Sequence, residues 1–337
     1  MTTQPDRSLL AARNSTLKSI FLRWEFLLLG LFVAINIMNA SISPYYLNAG
    51  NLFTAINSFL VKGFIAMPMA YLLVLGEIDL SVGSTVALSA TLLGVSYNAG
   101  IPMELAILIA LLCGTLCGLL NGLILTRFTE LAPMIVTLGT MTLYRGISEM
   151  ILGSLSTGGF HNVNWFYQIY YARIGPVPYL FFFFCLLALA FGFILHKTIF
   201  GRQLFAIGSN RLTARYSGVP VQKHRLICYT LMGLVCGMSG VFYSSWMGTV
   251  RFDIATGYEL EAISVAVLGG ISTSGGKGTF PGAIISIFIV GLLGYGLGLI
   301  NVNSQTILMI IGLILIAVVM APNLKARRKP GTKTIRL

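Results

Sequence analysis

GEIDLSVGS, residues 76–84, interrupts a long apolar region of the sequence. Two carboxylates, Glu77 and Asp79, and two glycines, Gly76 and Gly83, occur within this short stretch. Charged groups and irregular backbone are costly inside a membrane unless protein surrounds them or they line a water-filled path. The stretch therefore predicts a helix break that is enclosed by other membrane helices.

Asp79 and Ser81 directly precede the apolar run that begins near Ser84. A side-chain oxygen at such a position accepts hydrogen bonds from free N–H groups at a helix start, and a carboxylate there faces the positive end of the helix dipole. One interpretation is that these residues cap a broken helix. The other is that they form a gate or line a solute path.

A similar pattern recurs late in the chain. LGEI at residues 75–78 matches LGGI at residues 268–271, and each follows one apolar run and precedes another. Paired glycine-broken helices line the solute path of many transporters, whereas a chance match within a glycine-rich sequence is the other interpretation. The residues assigned to a helix break or gate are Gly76, Glu77, Asp79, Ser81, Gly83, Gly269 and Gly270.

The composition places the chain in a membrane. Apolar residues make up 56% of the 337 residues, charged residues make up 9%, and the mean hydropathy is +0.85. Because a soluble core cannot bury so large an apolar fraction, we expect an all-α polytopic membrane protein with about ten transmembrane helices, some broken at glycine-rich motifs. An enzymatic domain that powers the protein is then expected on another chain. The predicted spans are Trp24–Ala40, Leu52–Leu75, Ser84–Tyr97, Leu105–Thr126, Pro133–Leu152, Tyr179–Leu195, Leu226–Trp246, Glu259–Leu268, Phe280–Leu299 and Gln305–Met320.

The basic residues occur mainly in both tails and in one central loop, residues 197–225. With ten crossings, 18 of the 22 Lys and Arg residues fall on the side that carries both chain ends. The positive-inside rule assigns that side to the cytoplasm. A nucleic-acid surface would need aromatic residues between the bases, which these groups lack. We expect a cytoplasmic N-terminal tail (1–23), a transmembrane domain (24–322) and a basic cytoplasmic C-terminal tail (323–337).

Other polar and aromatic groups have more than one interpretation. Arg145 and Glu149 are four residues apart in one span, so they either pair with each other or line a path. Asn121 and Thr140 are candidates to line a path and contact a hydroxyl-rich solute, although hydrogen bonds between helices are the commoner use of such residues. The aromatic side chains of the outward loop, residues 153–178, are expected to form a belt at the membrane surface.

The central basic loop predicts a short, well-capped helix. Ser209 or Asn210 is the candidate N-cap, residues 211–217 provide about two turns, and Gly218 followed by Pro220 ends the helix. Such a helix either binds a partner protein or lies on anionic lipid.

The sequence suggests neither an enzyme nor a metal protein. GGKGT at residues 275–279 resembles a phosphate-binding loop, but Gly278 follows Lys277 where that motif needs Ser or Thr. Cys113 and Cys117 share a helix face without His or carboxylate neighbours in the sequence, so a metal site is not expected. We therefore expect a chain that is not an enzyme and binds no cofactor directly.

Four motifs occur in order along the chain, and they are Gly76–Ser84, Ala132–Thr140, Phe200–Val219 and Val267–Thr279. Together they resemble the ribose-type permeases of ABC importers, within the branched-chain-like permease family. Glu77 departs from that pattern, because the family usually has Gly at this position. The run at residues 138–146 is similar to members that handle autoinducer-2 or deoxy-sugars.

The resemblance implies a permease subunit of an ATP-driven importer, in a bacterial inner membrane, for a monosaccharide or a sugar-like solute of the ribose, deoxy-sugar or autoinducer-2 class. It further implies a periplasmic or lipid-anchored sugar-binding protein, a second permease subunit that is identical or different, and a separate ATPase subunit that binds ATP and Mg²⁺. The residues that it assigns to ATPase coupling are Gly201, Asn210, Arg211, Ala214, Arg215 and Gly218.

An ion-coupled secondary sugar transporter is the alternative function. It needs ionisable groups along its path, and the candidates are Lys62, Glu77, Asp79 and the Arg145–Glu149 pair. A membrane enzyme would need a nucleophile with its base, or a metal cluster, and the sequence shows neither pattern.

Overall fold

A computed structural model describes residues 24–327 of the chain. The predicted tail at residues 1–23 and the end of the other predicted tail, residues 328–337, lie outside the described residues. The last described helix runs to Arg327, so it continues past residue 322, where the sequence suggested that the membrane domain ends.

The described part of the chain is mostly helical. Two short antiparallel strand pairs, β1 with β4 and β2 with β3, join the connections on one side of the helices. The elements are α1 (Trp24–Ile42), α2 (Ala49–Val74), α3 (Val82–Asn98), α4 (Met103–Arg127), α5 (Pro133–Leu152), β1 (Thr157–Gly158), a 3₁₀ turn (Phe160–Asn162), α6 (Asn164–Tyr171), β2 (Arg173–Ile174), β3 (Val177–Pro178), α7 (Tyr179–Lys197), α8 (Ile199–Ser209), α9 (Arg211–Tyr216), α10 (Val221–Met247), β4 (Thr249–Val250), α11 (Tyr258–Leu268), α12 (Phe280–Leu299) and α13 (Ser304–Arg327).

Each predicted span overlaps a helix, but α10 begins before the predicted start at Leu226 and α13 continues past the predicted end at Met320, because these helices extend through charged residues. Six helices of the described chain, α1, α2, α4, α7, α10 and α12, are long and apolar enough to cross a membrane. The predicted count of about ten transmembrane helices is not confirmed by this criterion. The 17 residues of α3 and the 11 residues of α11 are the shortest of the ten, and each adjoins a glycine-rich break.

Small residues bring α4 and α10 into close contact at the centre of the bundle. Gly114 and Gly118 of α4 face Gly233 and Gly237 of α10, and a Cβ added to Gly118 would lie 2.8 Å from the Cα of Gly233. Backbones approach this closely only where side chains are absent, which is a common way of packing helices in membranes. The crossing fixes α10 against the helices that carry the site described below.

The aromatic residues of the loop between α5 and α7 pack inward, contrary to the predicted surface belt. Phe160 and Phe166 are fully buried, and Tyr170 stacks on Trp246 with ring centroids 5.4 Å apart. Trp165 is the one exposed Phe, Tyr or Trp residue of this described loop. The loop is a packed cap over the bundle because its strand β1 pairs with β4 after α10, which draws α6 onto the helix ends.

Candidate functional site: the helix junction

The break in GEIDLSVGS begins with a tight helix ending at α2. Gly76 adopts φ +77°, and the N–H groups of Gly76 and Glu77 donate to the carbonyls of Leu73 and Leu72 at 2.9 Å each. This is a Schellman ending, which needs a left-handed residue and therefore favours glycine. Gly76 thus turns the chain sharply away from α2 and towards α3.

The second break, after α11, ends the helix in the same way. Gly270 adopts φ +89°, and the N–H groups of Gly270 and Ile271 donate to the carbonyls of Val267 and Ala266. The sequence repeat therefore corresponds to a repeated backbone turn, but the left-handed glycine is shifted by one position, because Gly270 and not Gly269 is the counterpart of Gly76. Gly269 instead lies against the backbone of α12 near Ala283.

The two breaks meet each other and the end of α8. The N–H of Gly276 donates to the carbonyl of Val74 at 2.8 Å, and a Cβ on Gly275 would lie 2.9 Å from the Gly208 oxygen and the Gly76 nitrogen. We call this region, residues 74–81, 208–209 and 269–279, the helix junction. Its contacts are between backbone atoms. A movement of α8 therefore either moves both breaks with it or disrupts these contacts.

A chain of hydrogen bonds holds the first break at the start of α3. The Asp79 Oδ1 accepts from the backbone N–H of Ser81 at 2.8 Å and from its hydroxyl at 2.6 Å. The Ser81 hydroxyl in turn accepts from the Asn121 amide at 2.8 Å, and the Asn121 Oδ1 accepts from the Tyr144 hydroxyl at 3.1 Å. Asp79 therefore stabilises the turn before α3, and Ser81 itself makes no side-chain cap.

The two residues suggested as path lining, Asn121 and Thr140, and Gly83 of the suggested gate all contact other parts of the protein. Asn121 joins α4 to the break and to α5 through the bonds just described. Thr140 is buried and its hydroxyl donates to the carbonyl of Thr137, 3.3 Å away and one turn earlier in the same helix. Gly83 lies beside the segment before α11, where an added Cβ would be 2.5 Å from the Ala255 oxygen.

Two substitutions of Asp79 distinguish the role of its acceptor oxygen from the role of its negative charge. We expect Asp79→Asn to retain most stability, because an amide oxygen can still accept both bonds from Ser81, whereas Asp79→Leu leaves a buried N–H and hydroxyl unpaired at a cost of about 1–3 kcal/mol. Unfolding of both variants in mixed micelles, together with transport assays, measures this difference. If both variants fold normally and are equally inactive, the negative charge itself is required and the assignment to the turn is wrong.

Glu77 has partners that the sequence analysis did not identify. Its carboxylate forms ion pairs with Arg211 of α9 and with Arg225 of α10, the latter at 2.5 Å. The side chains of Glu77 and Arg225 are 0% and 1% exposed, whereas that of Arg211 is 43% exposed. Arg225 also donates to the carbonyl of Leu125 at 2.6 Å. The only sequence signal was that Arg225 lies at the start of an apolar run with no nearby acid.

Arg145 does not pair with Glu149, contrary to one of the two interpretations. Its guanidinium donates to the carbonyls of Phe252 and Ile254 at 2.5 and 2.7 Å, and Glu149 is exposed. The segment after β4 lies between α5 and α11, and its carbonyls take the place of Glu149 as the hydrogen-bond partners of Arg145. Arg145 therefore anchors this segment.

The predicted short helix in the basic loop is α9, and α8 precedes it. Asn210, and not Ser209, is the N-cap, since its Oδ1 accepts from the N–H of Thr213 at 3.0 Å. Gly218, at φ +82°, closes the helix with a Schellman ending. α8 was not predicted from the sequence, although the Thr198 side chain caps its start by accepting from the N–H of Gly201.

The exposed side of α9 is partly apolar. Leu212 is 61% exposed and Tyr216 is 83% exposed, and Arg215 beside them is also exposed. Ala214 is buried, and Gly201 of α8 lies directly against the carbonyl of Leu195, so these two assigned coupling residues pack inside the protein. Leu212 and Tyr216, which the sequence analysis did not select, belong to the surface available to a partner.

Comparison with known proteins identifies the family of the chain. A family model described as "Branched-chain amino acid transport system / permease component" matches residues 51–319. The "Autoinducer 2 import system permease protein LsrD" of Escherichia coli (strain K12) is 35% identical over 312 residues, which cover 91% of this chain and 94% of that protein. The proteins of the same name from Shigella flexneri and Escherichia coli O157:H7 match with the same identity and coverage. No solved structure matches the chain. The chain therefore belongs to the family of permease components of branched-chain amino acid transport systems.

Proposed function

We propose that the chain is the transmembrane permease subunit of an ATP-driven ABC importer for a sugar-like solute of the ribose, deoxy-sugar or autoinducer-2 class. The observation that carries the proposal is the connection from the exposed helix α9, through the Arg211–Glu77 ion pair, to the helix junction. A relative that is named as an autoinducer-2 import permease supports the solute class. The proposed location is the bacterial inner membrane, with both chain termini in the cytoplasm.

The proposed division of labour assigns ATP and Mg²⁺ to a separate ATPase subunit that binds α9. A periplasmic or lipid-anchored binding protein delivers the solute, and a second permease subunit, identical or different, completes the path. Closure of the ATPase on ATP pushes α8 and α9. Because α8 contacts both glycine breaks through backbone atoms, the push tilts α2, α3, α11 and α12 together and gives alternating access by rigid-body motion.

Ion-coupled transport is less well supported, because Lys62, Glu77 and Asp79, three of the charged groups suggested as a relay, have partners. Glu77 pairs with two arginines, and Lys62 pairs with Glu261 at 2.8 Å. Asp79 accepts two hydrogen bonds from Ser81. These contacts favour fixed structural charges over groups that gain and lose protons during transport.

Two changes on α9 test the proposed ATPase contact. Arg215→Glu reverses a charge on the exposed side of the helix and should reduce co-purification of the ATPase without affecting the fold. Gly218→Val should also reduce it, because a β-branched residue is strained by roughly 1–2 kcal/mol at positive φ, while the site itself has no atom within 4 Å of an added Cβ. ATPase co-purification and ATP-dependent uptake measure both effects.

Gly218→Asn is the matched control, since Asn tolerates the left-handed conformation better than other residues with a side chain. We expect this variant to stay close to the wild type in both assays. If Arg215→Glu and Gly218→Val also retain normal ATPase binding and transport, the contact lies elsewhere, and the Gly269–Thr279 segment is the next candidate.

A further inference from the structure

A cavity of about 490 Å³ lies between α2, α10, α11, α12 and α13, apart from the helix junction. Its volume is within the range of about 300–1,000 Å³ that is usual for small-molecule sites. Lys62 of α2 and Glu261 of α11 line it. Lys62 lies near the middle of α2, so the cavity reaches well into the bundle, and Glu261 lies in the first turn of α11.

The charged pair of the cavity has unused hydrogen-bonding capacity. The Lys62 ammonium lies 2.8 Å from one carboxylate oxygen of Glu261 and 5.2 Å from the centre of the Tyr258 ring. An ammonium has three donors and a carboxylate has several acceptor sites, so the pair can bind further groups on both sides. Because its charges cancel, the pair suits a neutral ligand whose hydroxyls both donate and accept.

The walls of the cavity combine aromatic rings with open glycines. Two contacts with α6 hold Trp246 in place. Its ring stacks on Tyr170, and its carbonyl accepts from the Tyr171 hydroxyl at 2.8 Å. A Cβ on Gly294 of α12 would meet only a methyl group of Ile307 at 3.7 Å. Rigid aromatic surface with nearby free volume is suited to the apolar C–H face of a sugar ring.

The cavity narrows abruptly beyond the charged pair. A second cavity, which Lys62 and Glu261 also line, has a volume of only about 10 Å³ and is enclosed by apolar residues that include Ala66, Val265 and Ile287. One water molecule needs roughly 10–15 Å³ of such space. The larger cavity therefore ends at an apolar constriction that is too small for a sugar-sized solute in this conformation.

We infer that this cavity is a solute-binding station of the permease, with the Lys62–Glu261 pair at its inner end as the group that recognises a neutral, polyhydroxylated solute of monosaccharide size. The constriction below the pair holds the solute until the helices move. This inference rests on the proposed function, because it identifies where the transported solute stops, but it is tested without the ATPase.

The test is protection of an introduced thiol in the otherwise native, full-length chain in lipid nanodiscs. Gly294→Cys places a thiol in the cavity, and N-ethylmaleimide labelling of that peptide is followed by mass spectrometry with and without D-ribose, 2-deoxy-D-ribose or D-glucose. A bound sugar slows labelling by a factor of 1 + [L]/Kd, which is about threefold when the sugar is present at twice its Kd. We expect at least one of the three sugars to protect the thiol, and sodium chloride at the same osmolarity to have no effect.

Two controls make the result specific. Leu155→Cys, at a residue that is 73% exposed and outside the cavity, should be labelled at the same rate with and without sugar. Lys62→Met combined with Glu261→Gln removes both charges together, leaves no unpaired charge, and should abolish protection at position 294 while its labelling without sugar is unchanged. If none of the sugars protects Gly294→Cys, or if protection survives the double substitution, the inference is wrong. Protection without ATP-driven uptake would instead contradict the proposed function alone.

Discussion

Glu77→Gln should strongly destabilise the protein, by about 3–5 kcal/mol, because it leaves the buried Arg225 guanidinium without its negative partner. Both side chains are almost fully inaccessible, and Arg225 keeps only polar contacts such as the carbonyl of Leu125. Arg211 is partly exposed and can turn to water, so it contributes less to the loss. Equilibrium unfolding in mixed micelles measures the change in the free energy of unfolding.

The double variant Glu77→Gln with Arg225→Gln should recover much of that loss, because no unpaired charge remains in the interior. The matched control is the pair Arg251–Asp253, whose side chains are 60% and 50% exposed. Asp253→Asn should cost about 1 kcal/mol or less, as is usual for exposed ion pairs. If Glu77→Gln and Asp253→Asn change the free energy of unfolding equally, the buried ion pair contributes no more to stability than the exposed one.

Gly208→Ala should disrupt the helix junction. The added methyl group would lie against the carbonyl oxygen of Val74 and 2.5 Å from the nitrogen of Gly276, and neither backbone can move without shifting a glycine break. Overpacking of this kind typically costs about 1–3 kcal/mol. We expect a loss of stability, measured by unfolding in micelles, together with a loss of ATP-dependent uptake.

Gly30→Ala is the control for this substitution. Gly30 lies within α1 and an added Cβ there has no neighbouring atom within 4 Å, so alanine should leave stability unchanged or raise it slightly through helix propensity. Wild-type stability and uptake in Gly208→Ala would mean that α8 and the two breaks are not tightly packed, and the proposed transmission of movement would lose its basis.

Local features of the site could be predicted from the sequence because their causes are local. Gly76 ends α2, Asp79 stabilises the start of α3, and the short helix from Arg211 ends at Gly218, all as capping chemistry requires. Each of these depends on bonds within a few residues. The positions of the helices followed from the apolar runs, but their ends did so only in part, since α10 and α13 extend through charged residues.

Long-range contacts could not be predicted in this way. Glu77 is 134 residues from Arg211 in the sequence, and nothing in the spacing of these residues indicates that α9 lies under the first break. The same applies to Arg145, whose partners are carbonyls and have no sequence signal. Pairing with Glu149 was one of two interpretations, because the spacing of the two residues is visible in the sequence and the path of the segment after β4 is not.

The helix junction also explains why one helix ending occurs twice. Gly76 and Gly270 each turn the chain within the helix junction, where Val74 of the first break and Gly276 of the second lie against Gly208 of α8. A single helix pair, α8 and α9, can therefore act on both halves of the proposed path. Glu77 adds a charged connection from the first break to α9 and to α10. In the proposed mechanism, these contacts keep the coupling helix and the membrane helices moving as one unit.

The most direct test of the proposed function is uptake into proteoliposomes that contain this chain, its ATPase and any second permease subunit. Autoinducer-2 and D-ribose are the solutes, each supplied with the cognate binding protein on the outside. We predict that uptake of at least one solute requires enclosed ATP and Mg²⁺, requires the binding protein, and is unchanged when ionophores collapse proton and sodium gradients. Uptake that is driven by an ion gradient in the absence of ATP would contradict the account.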